Sequence, residues 1–380
     1  ADVQVVCHAT SDADPASWVK HPEWTLGALD GYGPEDWRDP FVFRTAPGEP
    51  WQMLLAARRP SRPDRRRGVV ARLVSDDLVT WRDAEPPWDP HRFITQECPD
   101  LFQWGDWWYL LYSEFSDAFQ TRYRVATSPD GPWLAPEHDT VDGRAFYAAK
   151  SVEVAGVRYV VGWIATKQDE RDHGPWQWAG DMAVLQAHQR DDGSLGFDLP
   201  EAVKALYGPA AAPASFEPVD GADSSPGSGA YDRYAAWMGP ATPAEALVSV
   251  EIDIHPGTHG CGLLLRASDD GEEAYALRLE PYRHRVVLDR WPRGRTGGEQ
   301  WQVRGDVPHD VELERPVALP PGRHRLEVHL DGSICVAVVD GEVALSARMY
   351  DRTYGRLGLF AVDGGFDLVS CEVRDRTPAR

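Results

Sequence analysis

The chain has 380 residues, 42% of them apolar, and a formal net charge of −21. Its length favours two domains over one core, and it has no apolar run of the roughly 18 residues that span a membrane. The strong negative charge argues against a nucleic-acid partner, because the phosphate backbone would be repelled, and is compatible with a soluble, secreted or cytoplasmic enzyme of a neutral substrate.

A repeated segment runs through the first half of the chain, in which a short strand ends in Ser-Asp or a close relative and a Trp follows. The copies are residues 9–12 with Trp18, 73–77 with Trp81, 126–130 with Trp133, and a weaker one that ends at 190–193. Ser11 and Ser75 are 64 residues apart, and Ser75 and Ser128 are 53 apart. Such a period, holding a few short strands, is typical of a propeller blade.

Turn chemistry and strand patterns support this interpretation. The Asp of each Ser-Asp pair is expected to accept hydrogen bonds from nearby backbone N–H groups. Residues 51–57 and 107–113 read as strands, and no long stretch has the 3.6-residue period of an amphipathic helix. We therefore predict an all-β chain in which residues 1–207 form a β-propeller.

The composition changes after the fourth copy. Residues 208–230 are rich in Gly, Pro, Ala and Ser and are predicted to be a linker. Alternating strands joined by Asp-Gly turns follow, at residues 247–254, 274–279 and 325–330. This pattern predicts a β-sandwich over residues 231–380, whose favoured role is packing against the propeller rather than binding sugar.

Two short acidic motifs stand early in neighbouring blades. The first contains Arg38 and Asp39, ahead of the strand-like residues 41–43, and the second contains Glu97. A Pro follows closely in each motif and restricts the local backbone. Because inner propeller strands line a central channel, the two carboxylates are expected to converge on one pocket.

These motifs resemble glycoside hydrolase family 32, which includes invertases, levanases, inulinases and related fructosyltransferases. The family carries an Arg-Asp-Pro motif and, one blade later, a Glu-Cys motif that continues into Pro-Asp-Leu-Phe. Here they read Arg38-Asp39-Pro40 and residues 97–102. Further similarity lies in Phe-Tyr-Ala-Ala at 146–149 and in Trp-Gln-Trp-Ala-Gly at 176–180.

The resemblance implies roles for particular residues. Glu97 would be the general acid/base, and Asp39 would stabilise the transition state through fructose hydroxyls. Arg38 would orient carboxylates with its planar guanidinium, and Tyr147 would line the pocket beside Glu97. Residues expected to pack on sugar faces are Trp178, Trp37 and Trp163.

One departure from the family concerns its nucleophile. Family members use an Asp in an Asn-Asp-Pro type motif near the start of the first blade, and no such motif occurs in these 380 residues. The early Asp12 and Asp14 belong to a blade-closing turn. We therefore expect a five-bladed-type propeller that is N-terminally incomplete in this sequence, with the nucleophile outside it. A second departure is Ala145, where the family often has an acid.

The predicted function is cleavage of β-fructofuranosidic bonds in sucrose or a fructan by a retaining mechanism. Alternatives are a non-catalytic relative that binds fructan, a fructosyltransferase that uses the same site, and an inverting hydrolase of the arabinan type, which the Glu-Cys-Pro-Asp motif disfavours. A fructoside is the expected partner, and a second chain or fragment could complete the propeller. No metal or organic cofactor is expected, and the spacing of the five cysteines predicts no zinc site.

Overall fold

The computed structural model describes residues 3–12, 14, 16–210, 213–219, 221–291 and 312–377. Within these residues there are 25 strands, one short helix and three single turns of 3₁₀ helix, so the all-β prediction is confirmed. Two compact units are present. One comprises residues 1–141, 147–152 and 191–194, and the other comprises residues 142–146, 153–190 and 195–380. In the described residues no helix is both long and apolar enough to cross a membrane.

The first unit is built from short antiparallel strands. They are β1 Val6–Thr10, β2 Val19–Leu26, β3 Arg38–Phe43, β4 Trp51–Arg58, β5 Gly68–Ser75, β6 Arg82–Trp88, β7 Glu97–Trp104, β8 Trp107–Glu114 and β9 Gln120–Ala126, and most of β10 Phe146–Val154 also belongs here. Their sheets have the orders β1-β2, β3-β4-β5-β6 and β7-β8-β9.

Both faces of the central strands of the β3–β6 sheet, β4 and β5, are buried. On β4, Met53 and Leu55 belong to one apolar cluster together with Trp37, whereas Leu54 belongs to another that includes Leu101 of β7. Since successive strand residues point to opposite faces, this sheet is covered on each side. Stacked sheets with two buried faces are what a propeller requires of its blades.

The turn after β5 has the predicted chemistry. After β5, the Asp77 carboxylate accepts hydrogen bonds from the backbone N–H groups of Thr80 and Val79, at 2.7 Å and 2.9 Å. These hydrogen bonds hold the pKa of the exposed Asp77 well below its usual range. The Trp that follows this turn, Trp81, has its indole N–H 3.2 Å from the Leu78 carbonyl oxygen.

The second unit holds the remaining elements. They are β11 Val157–Lys167, β12 Trp176–Gln189, β13 Leu195–Asp198, α1 Glu201–Lys204, β14 Glu217–Pro218, β15 Ala230–Thr242, β16 Glu245–Ile254, β17 Gly260–Ala267, β18 Ala274–Glu280, β19 Arg285–Trp291, β20 Leu313–Pro316, β21 Gly322–Asp331, β22 Ile334–Val339, β23 Val343–Arg348, β24 Gly355–Gly364 and β25 Phe366–Asp375. The 3₁₀ turns of the chain are Asp64–Arg66, Gln168–Glu170 and Pro281–Arg283.

Two large antiparallel sheets dominate this unit. Seven strands have the order β14-β15-β24-β17-β18-β19-β20, and five have the order β23-β22-β21-β16-β25. Each expected strand in this region lies within an observed one, and β21, β22 and β23 form consecutive hairpins. Asp340 and Gly341 adopt φ values of 56° and 68° between β22 and β23, the left-handed conformation that a tight hairpin needs. The division at residues 208–230 remains a prediction.

Candidate active site

The first acidic motif contains a β-bulge. Arg38 pairs with Ala56 and Phe41 with Leu54, so three steps along β3 correspond to two along β4. Between them Asp39 has a φ of 60°, in the left-handed region that Asp enters more readily than most residues. Because the bulge interrupts the two-residue alternation, the directions of the Arg38 and Asp39 side chains differ from those they would have in a regular strand.

The second motif contains a similar β-bulge in the next sheet. The register of β7 against β8 shifts directly after Glu97, and Cys98 has a φ of 51°. Glu97 therefore occupies in β7 the place that Arg38 occupies in β3. In β10 the residue after Tyr147 is Ala148, which also has a left-handed φ, of 56°. Three strands thus carry a polar side chain immediately before a left-handed residue.

The Glu97 carboxylate is nearly buried, with 4% of the residue exposed. Arg38 Nη2 donates a hydrogen bond to Oε1 at 2.6 Å, and the Tyr147 hydroxyl donates to Oε2 at 2.5 Å. Burial, followed by the negative charge of Glu97, raises the pKa of Tyr147, so its phenol stays a donor. Phe119 stacks on the Tyr147 ring, with 4.1 Å between centroids.

Arg38 is itself held from the other side. Its Nη1 pairs with Asp36, which is 5% exposed, and donates to Gln4 Oε1 at 2.8 Å. Arg58 forms a second ion pair with Asp36. The guanidinium plane is therefore oriented on both edges, which a flexible ammonium could not reproduce. Sequence reasoning did not find Asp36 or Gln4: the fold brings Gln4 beside Arg38, whereas Asp36 stands two positions before it and its place in the chain was a signal that could have been used.

Asp39 lies next to the second motif. Its Oδ2 accepts a hydrogen bond from the Cys98 backbone N–H at 2.9 Å and lies 3.8 Å from Arg38 Nε. Burial and the neighbouring Asp39 charge raise the pKa of the Cys98 thiol to about 12, so the thiol stays neutral. The Asp39 side chain is 23% exposed, which leaves carboxylate surface available to a ligand.

Lys150 supports the bulge of β7 and was not anticipated from the sequence. Its Nζ donates to the Pro99 carbonyl oxygen at 2.7 Å and lies 5.2 Å from the centroid of the Phe41 ring. Burial lowers the pKa of Lys150, while the nearby Asp100 opposes this shift. Its position three residues after Tyr147, on the same strand, is the signal that could have pointed to it.

The predicted tryptophans fall into two groups. Trp37 is fully buried in the core cluster of the first unit. The expectation that Trp37 packs on a sugar is therefore wrong in this structure, because a ring without exposed surface cannot stack on a ligand. Trp163 and Trp178 belong to the second unit, where their rings meet edge-on at 5.8 Å, and Trp178 is 63% exposed.

Residues 1–195 match the family model described as the glycosyl hydrolases family 32 N-terminal domain. Sucrose-6-phosphate hydrolase of Escherichia coli is 27% identical over 175 residues, which are 42% of this chain and 35% of that enzyme. The matched stretch is thus about a third of the length of this curated relative.

Solved structures share the fold. The exo-inulinase of Aspergillus awamori superimposes with a TM-score of 0.70 at 18% identity, over 97% of this chain and 74% of the inulinase. Fructan 1-exohydrolase IIa of Cichorium intybus gives a TM-score of 0.72 at 16% identity, over 100% of this chain and 79% of the other. At such low identity these matches establish a common fold.

Proposed function

The chain belongs to glycoside hydrolase family 32, and from this membership we propose that it carries the acid/base and stabilising residues of a β-fructosidase that hydrolyses sucrose or a fructan. The observation that carries the proposal is the buried Glu97 carboxylate, with Arg38 and Tyr147 donating to its two oxygens. Asp39 lies beside the same arginine. Because these hydrogen bonds fix its position, the Glu97 carboxyl group can donate a proton to, or accept one from, a substrate atom at one defined position.

Glu97 is the proposed general acid/base. It protonates the leaving glycosidic oxygen while a second carboxylate attacks the anomeric carbon, forming a fructosyl ester and releasing the rest of the sugar. Glu97 then removes a proton from water, whose oxygen displaces that carboxylate and frees fructose. Arg38 and Tyr147 keep the carboxyl group in place through both steps.

Asp39 is the proposed transition-state stabiliser. The Cys98 N–H fixes one of its oxygens, and its partial exposure allows the carboxylate to accept hydrogen bonds from fructose hydroxyls. A hydroxyl hydrogen bond that shortens as positive charge develops on the sugar lowers the barrier. Trp178 and Trp163 remain proposed contacts to the sugar. Trp37 is no longer proposed as a sugar contact.

The attacking carboxylate must lie about 5–5.5 Å from Glu97 for the retaining reaction. Since the Asn-Asp-Pro type motif is absent from the 380 residues, we propose that this group comes from a segment or fragment outside the present sequence. The same segment would complete a five-bladed propeller, to which the sheets of the first unit contribute. Transfer to a sugar hydroxyl instead of water would use the same fructosyl ester.

The direct test is Glu97→Gln in the complete assembly, supplied with sucrose, inulin or levan and assayed for released fructose by chromatography. Turnover should be lost while fructoside binding is largely kept, because the amide preserves shape but cannot donate the proton. Glu49→Gln, at an exposed position of the same unit, is the matched control. Undiminished turnover by the Glu97 variant would refute the assignment.

A second candidate is a family member that binds fructan without cleaving it, and exposed aromatic surface such as that of Trp178 is compatible with such binding. The two functions differ in the behaviour of the unmodified assembly. Fructan binding without any release of fructose, in a preparation whose intact mass shows only this chain of 42.3 kDa, would support the binding protein.

A further inference from the structure

Glu114 is a fully buried carboxylate close to Glu97 in the same sheet. It is the last residue of β8 and directly follows Ser113, which pairs with Glu97 of β7. Its exposed fraction is 0%. Burial of a charge is costly unless the charge is hydrogen-bonded or paired, so the partners of this carboxylate indicate what it stabilises.

Both oxygens of Glu114 bind the loop that joins β8 to β9. Oε2 accepts a hydrogen bond from the Asp117 backbone N–H at 2.9 Å, and Oε1 accepts one from the Ala118 backbone N–H at 3.2 Å. Arg122 of β9 adds a hydrogen bond from its Nε to Oε1, also at 3.2 Å, and balances the charge. One carboxylate therefore fixes the loop of residues 115–119 from its buried side.

The loop ends at Phe119, whose ring contacts the proposed acid/base site. Phe119 has a φ of 51°, a conformation that a bulky residue keeps only where the surrounding structure holds it. Its ring stacks on that of Tyr147, with 4.1 Å between centroids and 9° between planes. The Tyr147 hydroxyl in turn donates to Glu97. A continuous line of contacts thus runs from Glu114 through the loop and two aromatic rings to Glu97.

The base of the same hairpin is fixed by groups other than Glu114. Ser113 and Thr121 are paired across β8 and β9, and their buried hydroxyl oxygens are 2.9 Å apart. The Thr121 carbonyl oxygen also accepts a hydrogen bond from the Val141 N–H at 3.0 Å. A change at Glu114 should therefore displace the loop rather than the two strands.

We propose that Glu114 is a positioning residue of the Glu97 site, which holds the loop of residues 115–119 so that Phe119 keeps the Tyr147 ring in place and its hydroxyl on Glu97. Glu114 acts through these neighbours and not on the substrate. Because a misplaced donor slows the reaction without removing a substrate contact, the effect should appear in kcat rather than in KM. This catalytic effect rests on the proposed function, whereas the hold on the loop is a property of the fold.

Glu114→Gln is the informative substitution because it keeps the size of the side chain. An amide has one acceptor oxygen and one donor nitrogen, so it cannot replace both carboxylate oxygens as acceptors. In the full chain, hydrogen–deuterium exchange of peptides that span residues 115–120 should become about fivefold faster, the factor that corresponds to one lost hydrogen bond. Glu137→Gln, at an exposed position of the same unit, is the matched control and should exchange like wild type.

A double-mutant cycle with Tyr147→Phe separates positioning from a merely structural role. The Phe variant keeps the ring on which Phe119 stacks but removes the hydroxyl that donates to Glu97. In the complete assembly Glu114→Gln should lower kcat for fructoside hydrolysis by about tenfold, and the same substitution should have little effect in the Tyr147→Phe background, because residues that act through one contact are not additive. Phe119→Leu keeps Glu114 and should reproduce this result even if Glu114→Gln fails to fold. Thermal melting of each variant verifies folding.

The possible outcomes separate this role from the proposed hydrolysis. Unchanged exchange of the loop in Glu114→Gln would overturn the proposal. Unchanged kcat despite faster loop exchange, or an equal loss of kcat in both backgrounds, would also overturn it, because Glu114 would then not act through Tyr147. If the wild-type assembly releases no fructose, faster loop exchange in Glu114→Gln would support the hold on the loop and count against the hydrolysis alone.

Discussion

Arg38 and Glu97 are 59 positions apart in the chain, yet Arg38 Nη2 lies 2.6 Å from Glu97 Oε1. Each residue stands at the start of its strand, immediately before a residue with left-handed φ. Each of two neighbouring sheets thus contains a bulge of the same kind, and these bulges place a guanidinium and a carboxylate next to each other. The geometry of this pair leads to the first prediction.

Replacing Arg38 with Lys should reduce kcat for fructoside hydrolysis on the order of a hundredfold, since a misplaced catalytic group commonly costs that much. An ammonium cannot donate to Glu97, Asp36 and Gln4 along one plane. Steady-state kinetics on the complete assembly measures the effect. Arg44→Lys is the control, because Arg44 is exposed and stacks on Trp51, at 3.9 Å. Equal kcat values for the two variants would contradict the positioning role.

Asp39→Asn should keep the fold and the hydrogen bond from the Cys98 N–H, because the amide oxygen can still accept it. Loss of the negative charge should lower kcat by about 10²–10³-fold with a smaller change in KM, as for other groups that act in the transition state. Asp30→Asn at an exposed position should be kinetically silent. A change confined to KM would show that Asp39 only binds substrate.

Trp37 and Trp178 should respond oppositely to truncation. Trp37→Ala removes a fully buried ring from the core and should cost about 3–5 kcal/mol of unfolding free energy. Trp178→Ala, at a residue that is 63% exposed, should change stability by no more than about 0.5 kcal/mol. Urea unfolding of both variants measures the difference. Similar losses would mean that Trp178 is packed in solution.

The stability of the second unit should depend on the protonation of His324. Burial lowers the pKa of His324, but its hydrogen bonds to Asp340 and to the Pro320 carbonyl oxygen outweigh burial, and the pKa is raised. Stabilisation is therefore complete below the unfolded value of about 6.5 and is lost as pH rises through the folded pKa.

His324→Gln should consequently lower the melting temperature more at about pH 5 than at about pH 9. Differential scanning calorimetry at both pH values measures this difference. His138→Gln, at an exposed histidine, is the matched control and should shift the melting temperature little at either pH. A larger effect of the His324 variant at the higher pH would reverse the sign and contradict the assignment.

The sequence by itself determined the all-β class, the strands at 51–57 and 107–113, and the turn chemistry of Asp77. These features depend on neighbours in the chain, through two-residue alternation and through an Asp side chain that reaches backbone N–H groups within three residues. The two acidic motifs were also recognisable, since their residue types are local. None of this required knowledge of which sheets pack together.

Tertiary structure decided which side chains meet and which are exposed. Trp37 and Trp178 both stand beside polar residues in the sequence, yet one is buried in the core and the other is open to solvent. Gln4 and Lys150 gained their places only through the packing of residues that are distant in the chain. The physical reason is that burial depends on which distant strands pack together; in β3 and β7, in addition, one left-handed residue breaks the alternation of the strand, so the face reached by each following side chain depends on the paired strand.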